Sequence, residues 1–462
     1  MRIGIRNNTF FIASVIYFLL ISTSIANALI DNNPPLPWLS VKGTNFINDK
    51  GDKVLLKGVN LSNNVWGSWV AGVSESQEAE KKNPMVRPLR QDAWVLGALD
   101  FDLIKNLNGN VVRYAINYEL FSEDNPARKD NLDKMEQDIA QFNNRGIYVI
   151  ICLHIPEGLD VSSDSYEIIK PGNIRLKSIF ENQKFWEDTV TLWNYLARGL
   201  KDLSGVAGYE IINEPRVPSR IEGGLEQFRN KYNELCQEIR KIDNKHILFI
   251  PEYNSRESNP GEKYWSAAYN KMLVDNGEQW IIWERGWVEI SDSINNVAYV
   301  AHFYEPWGFT AEGGKSFSKE ALEGYMISNW SERMQRFPLI ITEYGINRNQ
   351  SVIARKKYLE AVHALFIKYS LSAIYWEYKS KVGPYISSFN IFGIYGQYVD
   401  YAKEATREAE GKYFLKPWAL EPARKNKFQQ LFDNYYCSSP DGPTIMDNLS
   451  VKEELQRFFT FK

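Results

Sequence analysis

Eight near-continuous apolar runs recur along the chain, separated by stretches with helical spacing, and this alternation restricts the fold more than any other feature. The runs are residues 54–60, 110–116, 148–154, 206–213, 246–252, 297–304, 338–345 and 371–378. Runs that are apolar on both faces are what strands covered by helices on either side require. Between them, residues 132–144, 183–203, 225–242, 319–336 and 352–369 space their apolar positions three and four apart, as amphipathic helices do. Strand–helix alternation predicts an α/β fold with a parallel sheet. Eight strands are the number that closes a (β/α)8 barrel, and 462 residues suit such a barrel with insertions. The alternative is an open doubly wound sheet; no glycine-rich phosphate loop follows the first run, which speaks against it.

The remaining segments complete this architecture. Residues 38–52 alternate weakly around the turn Asn48-Asp49-Lys50-Gly51, which predicts an N-terminal hairpin placed to plug the barrel floor. After the eighth run, residues 379–417 are rich in Gly and Tyr and are expected to form a long loop over the mouth, with a last helix near residues 421–435. At the N-terminus, Arg2 and Arg6 precede an apolar stretch, residues 9–25, and Ala26-Asn27-Ala28 has the small-x-small pattern of a signal-peptide cleavage site. Cleavage after Ala28 is expected. It leaves residues 29–462 as one catalytic domain, exported to the periplasm or the extracellular space, with no stable membrane span. An uncleaved anchor is the alternative, for which the stretch is short. The net charge of −3 gives no reason to expect a nucleic-acid partner. The three cysteines, Cys152, Cys236 and Cys437, show neither metal nor disulfide spacing.

Polar residues gather where the runs end. The second holds Arg113 and the third ends on His154. The fourth ends on Asn213-Glu214-Pro215, the sixth on His302-Phe303-Tyr304, the seventh on Thr342-Glu343-Tyr344-Gly345 and the eighth on Tyr375-Trp376-Glu377. In a closed barrel these ends converge on one mouth, where chemistry is built. Glu214 and Glu343 are far apart in the chain, yet strands four and seven would face each other across the axis. Two carboxyls across one cleft suit glycosidic bond hydrolysis: one protonates the leaving oxygen and the other attacks the anomeric carbon.

The two carboxyls must differ in acidity to do different work. Arg113 is placed to keep Glu343 ionised as the nucleophile, with a further hydrogen bond from Tyr304, while burial and the neighbouring carboxylate keep Glu214 protonated as the acid. Asn213 is placed to bond a sugar hydroxyl. His154 and His302 would bond hydroxyls or orient Glu214, and Trp376 would floor the sugar ring. Each has a plainer reading: solvated glutamates, a structural ion pair for Arg113, a strand-end cap for Asn213, buried histidines, core packing for Trp376. The ordered set across six strands is what weighs against those readings. An aromatic content of 14%, with 14 Trp, fits either a large core or a sugar-binding cleft.

The stretches Leu56-Lys57-Gly58-Val59-Asn60, Asn110-Val111-Val112-Arg113, Ile212-Asn213-Glu214-Pro215, His302-Phe303-Tyr304, Ile341-Thr342-Glu343-Tyr344-Gly345 and Tyr375-Trp376-Glu377 resemble the glycoside hydrolase family 5 cellulases, within the clan of retaining (β/α)8 glycosidases. The resemblance runs from about Trp38 to the last helix. It implies Glu214 as acid/base, Glu343 as nucleophile, and substrate contacts from Arg113, His154, Asn213, His302, Tyr304 and Trp376. It implies no cofactor and a β-linked glycan as substrate; no metal is expected, and the chain is expected to be a monomer. Two departures stand out: Ile151-Cys152-Leu153 precedes His154 where members of the family often carry an acidic or aromatic residue, and Arg216 follows the Asn-Glu-Pro. Trp66, Trp69, Trp283, Trp287 and Trp307 are candidates to line a long cleft. The expectation is an endo-β-1,4-glucanase, with a β-mannanase or glycolipid-glycan hydrolase behind it. A glycan-binding barrel without catalysis and a metal-dependent hydrolase are the other classes weighed; the histidines show no paired metal spacing.

Overall fold

The eight runs close on themselves. In the computed structural model they form a barrel of eight parallel strands: β1 (Lys57–Asn64), β2 (Val111–Asn117), β3 (Tyr148–Ile155), β4 (Val206–Glu210), β5 (Ile247–Pro251), β6 (Val297–Phe303), β7 (Leu339–Tyr344) and β8 (Ser372–Tyr375). Each strand pairs in parallel with the next, and β8 returns to β1 through Ala373↔Lys57, Ile374↔Gly58 and Tyr375↔Val59. The described residues are 34–64, 98–156, 182–217, 224–256, 281–310, 316–347, 350–382, 392–398 and 449–461, with 96, 179–180, 264–265, 436–437 and 445–447 as short pieces between them. The expected signal segment, residues 1–28, and the helix expected near residues 421–435 lie outside them.

The helices follow their sequence signals. Gln183–Leu200 begins where Asn182 accepts a hydrogen bond from the Lys184 N–H, and it buries Trp186, Leu192, Trp193, Leu196 and Leu200 as one stripe. Ser318 and Ser351 cap Lys319–Arg336 and Val352–Lys368 in the same way, accepting from the N–H of Ala321 and Ala354. Helices Arg128–Asn143 and Gly224–Arg240 flank the same sheet. Among the described residues, no helix is long and apolar enough to cross a membrane.

The strand bounds differ most from the sequence reading in β1, β4 and β8, the last of which stops at Tyr375. Lys53–Val54 belongs to a small N-terminal sheet, so β1 starts at Lys57. β4 stops at Glu210 rather than Asn213. Beyond it, the Ile211 carbonyl accepts from the Trp193 indole (2.9 Å) and the Asn213 N–H donates to the Leu153 carbonyl (2.9 Å). The chain thus leaves the ladder before it reaches the proline. Close strand approach requires glycine at Gly208, where a Cβ would lie 2.0 Å from the Ile247 carbonyl oxygen.

The floor is sealed as expected. Leu39–Lys42 and Asn45–Asn48 pair antiparallel. Leu39 and Phe46 of this hairpin pack with the buried interior side chains Val111, Ile150, Phe249, Val300, Ile340 and Ile374. Beyond the eighth strand, the described residues add regular structure that the sequence reading did not place. Lys379–Val382 pairs with Tyr395–Tyr398 in a four-stranded sheet completed by Ile445–Asp447 and Tyr436–Cys437.

A last helix, Leu449–Thr460, packs on Val352–Lys368. The Lys57 ammonium donates to the carbonyls of Phe458 (3.2 Å) and Phe461 (2.6 Å) at the end of that helix. Burial lowers the Lys57 pKa to about 8. Between that value and the ordinary lysine value the unfolded chain holds more protons than the folded one, so raising the pH favours the fold. The melting temperature of the native protein is therefore expected to rise relative to Lys57→Met between about pH 8 and 10. Parallel pH dependence in the two proteins would contradict this.

Candidate active site

The mouth of the barrel is built around one guanidinium. Arg113, on β2, is fully buried. Its Nε donates to Glu210 Oε2 (2.7 Å) and its Nη2 to Glu210 Oε1 (2.6 Å), a two-pronged ion pair. Nη2 also donates to Asn213 Oδ1 (2.7 Å), and the Cys152 thiol sulfur lies 3.0 Å from it. Nη1 donates to Asn60 Oδ1 (2.9 Å) and Glu343 Oε1 (2.7 Å). Ladder register explains the convergence: Asn60 lies beside Arg113, and Cys152 beside Glu210, so their side chains share the interior face.

Glu343, near the end of β7, is nearly closed off from solvent, with 7% of its side chain exposed. Tyr304 donates to its second oxygen at 2.9 Å. Burial pushes its carboxyl above the usual value; His302, Arg113 and the Tyr304 hydroxyl pull it back, and Glu214 pushes it further up. Arg113 depresses it as expected, but burial outweighs the arginine, so the carboxyl ends above rather than below its usual value. A Tyr304→Phe variant removes a donor to the ionised form. The acidic limb of kcat/KM is expected to move to higher pH in that variant, and an unmoved limb would refute the contact's role.

Glu214 is the more open carboxyl, with 34% of its side chain exposed, which departs from the burial expected for it. It sits just past β4 with φ +38°, a region that side-chain-bearing residues seldom occupy. His302 on β6 reaches it through Nδ1 at 2.7 Å, while His302 Nε2 meets Thr342 Oγ1 at 3.2 Å. Burial works against the imidazolium, but Glu343 and Glu214 outweigh it and raise the His302 pKa. Single donor atoms of Glu214, His302 and Glu343 all lie within 4.8 Å of one another.

His154 takes the opposite state. Burial, with Arg113 adding to it, holds its pKa well below the usual value. Because Asn213 Oδ1 is taken by Arg113, its amide Nδ2 faces His154 Nε2 at 3.4 Å, which makes Nε2 the acceptor. Nδ1 then carries the proton. It lies 4.0 Å from Glu343 Oε1 and has no hydrogen-bond partner among the described residues. The His154 ring stacks on Trp376 at 5.2 Å, and the Trp376–Glu377 peptide is cis.

All eight residues singled out in the sequence therefore meet at one mouth. The reading missed Glu210, Thr342 and the contacts of Asn60 and Cys152. A usable signal existed for Glu210: it is the one acid inside the fourth apolar run, and a buried arginine on a neighbouring strand needs a partner. Of the tryptophans expected in a cleft, Trp287 is buried and donates to the Val300 carbonyl (2.9 Å), so it belongs to the core. Trp307 is 38% exposed, beside Tyr304. Trp66, Trp69 and the side chains of Trp283 and Arg216 lie outside the described residues.

A closed (β/α)8 barrel thus carries two carboxyls, an arginine and two histidines at its carboxyl-end mouth, the kind of arrangement glycosidic bond hydrolysis needs. Residues 96–382 match the cellulase family (glycosyl hydrolase family 5), and the chain belongs to that family. A β-xylosidase of Phanerodontia chrysosporium is 24% identical over 309 residues, 62% of this chain and 56% of the relative. The chain thus spans little more than half of that relative's length. Endoglucanase A of Ruminococcus albus is 21% identical over 321 residues, 64% of this chain and 76% of the other. Among solved structures, an endogalactoceramidase superposes with a TM-score of 0.55 at 14% identity, covering 91% of this chain and 85% of that one. At that identity the likeness is one of fold.

Proposed function

We propose that the protein is an exported, retaining β-glycoside hydrolase that cleaves β-1,4-glucan chains internally by double displacement. The observation that carries this reading is the approach of Glu214 and Glu343, one carboxyl oxygen of each lying within 4.8 Å of the other. Retaining enzymes hold their carboxyls about 5–5.5 Å apart, whereas inverting ones leave roughly 6.5–9.5 Å for a water. In the first step Glu343 attacks the anomeric carbon, the glycosidic C–O bond breaks, and the leaving oxygen takes the Glu214 proton. In the second step Glu214 takes a proton from water, and that water displaces Glu343 from the anomeric carbon. His302 bonds Glu214 throughout. The His154 Nδ1–H and the free amide hydrogen of Asn213 are donors for sugar hydroxyls, and Trp376 forms the apolar floor. Export rests on the signal-like residues 1–28.

A second reading, hydrolysis of glycolipid glycans, draws support from 74 residues that are 36% identical to an endoglycoceramidase of Cyanea nozakii. Reducing-end release from carboxymethylcellulose, mannan, xylan and a glycosphingolipid separates the readings. The glucan is expected to be cleaved fastest; cleavage of the glycolipid alone would replace the first reading with the second, and binding without release would leave a non-catalytic barrel. Proton NMR of the first-formed reducing end is expected to show the β anomer.

A further inference from the structure

Glu210 takes no part in the steps above, yet it makes the most extensive contact with Arg113. We infer that Glu210 is a positioning residue for the nucleophile: by gripping the guanidinium with both carboxyl oxygens it aims Nη1 at Glu343 and balances the charge of Arg113 when Glu343 becomes a neutral ester. The inference rests on the double-displacement reading.

The geometry is over-determined in a way that a simple counter-ion does not need. All five guanidinium N–H groups have acceptors, and Glu210, 0% exposed, takes the two that fix the plane of the group. The remaining donors go to Asn213, to Asn60 and to Glu343. Cys152 fills the space beside Nη2 with an uncharged sulfur, so Glu210 and Glu343 are the carboxylates that Arg113 touches among the described residues. When Glu343 bonds to the anomeric carbon its negative charge is consumed. Without Glu210, Arg113 would then be a buried cation with no counter-charge, a costly arrangement. With Glu210 the pair is neutral by itself before and after the step. The same neutrality limits how strongly Arg113 can stabilise the Glu343 anion, and so preserves its nucleophilicity.

The charged and titratable groups facing Glu343 are Arg113 from β2, His154 from β3, Glu214 after β4, and His302 and Tyr304 from the end of β6. Glu210 acts on it through Arg113. In Glu210→Gln the arginine charge falls on Glu343 alone. The acidic limb of kcat/KM is expected to move down by about one pH unit or more, with a slower glycosylation step. In Cys152→Asp a second carboxylate meets Nη2, and the limb is expected to move up. A merely structural role would lower the folded fraction without moving the limb, and an unmoved limb in either folded variant overturns the proposal. On the native protein, 2,4-dinitrophenyl 2-deoxy-2-fluoro-β-cellobioside is expected to trap Glu343 as its ester, with a melting temperature at or above that of the free enzyme. A trapped enzyme that melts several degrees lower overturns the proposal even if neither variant folds. Absence of any label on Glu343 would instead refute the double-displacement reading itself.

Discussion

Glu343→Ala is expected to lower kcat/KM on a β-1,4-glucan by at least about 10,000-fold, because the step that forms the covalent intermediate loses its nucleophile. The fold should survive the change. Arg113 keeps its two-pronged pair with Glu210 and its bonds to Asn60 and Asn213 when the Glu343 side chain is gone. Circular dichroism and a melting curve close to the native ones would establish this. Added azide can enter the space vacated and attack the anomeric carbon directly. The expected product is a glycosyl azide of inverted configuration, formed only by the variant. Near-native turnover in Glu343→Ala would remove the assignment.

The second large effect is expected at Glu214. General acid–base assistance contributes roughly 100- to 10,000-fold, so Glu214→Gln should lose turnover in that range on the polysaccharide. The loss should depend on the leaving group. A 2,4-dinitrophenyl glycoside departs without a proton, so its first step should run at close to the native rate, and the covalent intermediate should accumulate as a burst. Azide then yields a product of retained configuration, the opposite of the Glu343→Ala result. Equal losses on both substrates would argue that Glu214 binds or orients rather than donates. Glutamine keeps the side-chain length at a residue whose φ is +38°, so it is the cleaner first variant.

The barrel was readable because its strands are buried on both faces, and burial writes itself into the sequence as unbroken apolar runs. Residues 297–304 and 338–345 were recognised in this way and appear as Val297–Phe303 and Leu339–Tyr344. The helices that begin after Ser318 and Ser351 were readable from apolar positions three and four apart. The C-terminal region was less so. Tyr436–Cys437 and Ile445–Asp447 are too short to carry a period, and the apolar stripe Val451, Leu455 and Phe458 of the last helix passed unnoticed. At the site, residues at strand ends were found because an ordered set of polar residues after apolar runs is itself a pattern. Glu210 was not found, because its meaning lies in a partner 97 residues away that only barrel closure brings near. Acidity was the poorest guess of all: sequence shows which charges are neighbours, but not how far water has been removed from them.

The grip of Lys57 on the carbonyls of Phe458 and Phe461 has a bearing on how the molecule is made. Lys57 and Phe458 are 401 residues apart, so during synthesis the first strand leaves the ribosome long before the segment that covers its ammonium exists. Until then the seam where β8 pairs with β1 is made without this cover. A protein cut short before residue 449 would lack both carbonyls that accept from the Lys57 ammonium and would leave that charge without them.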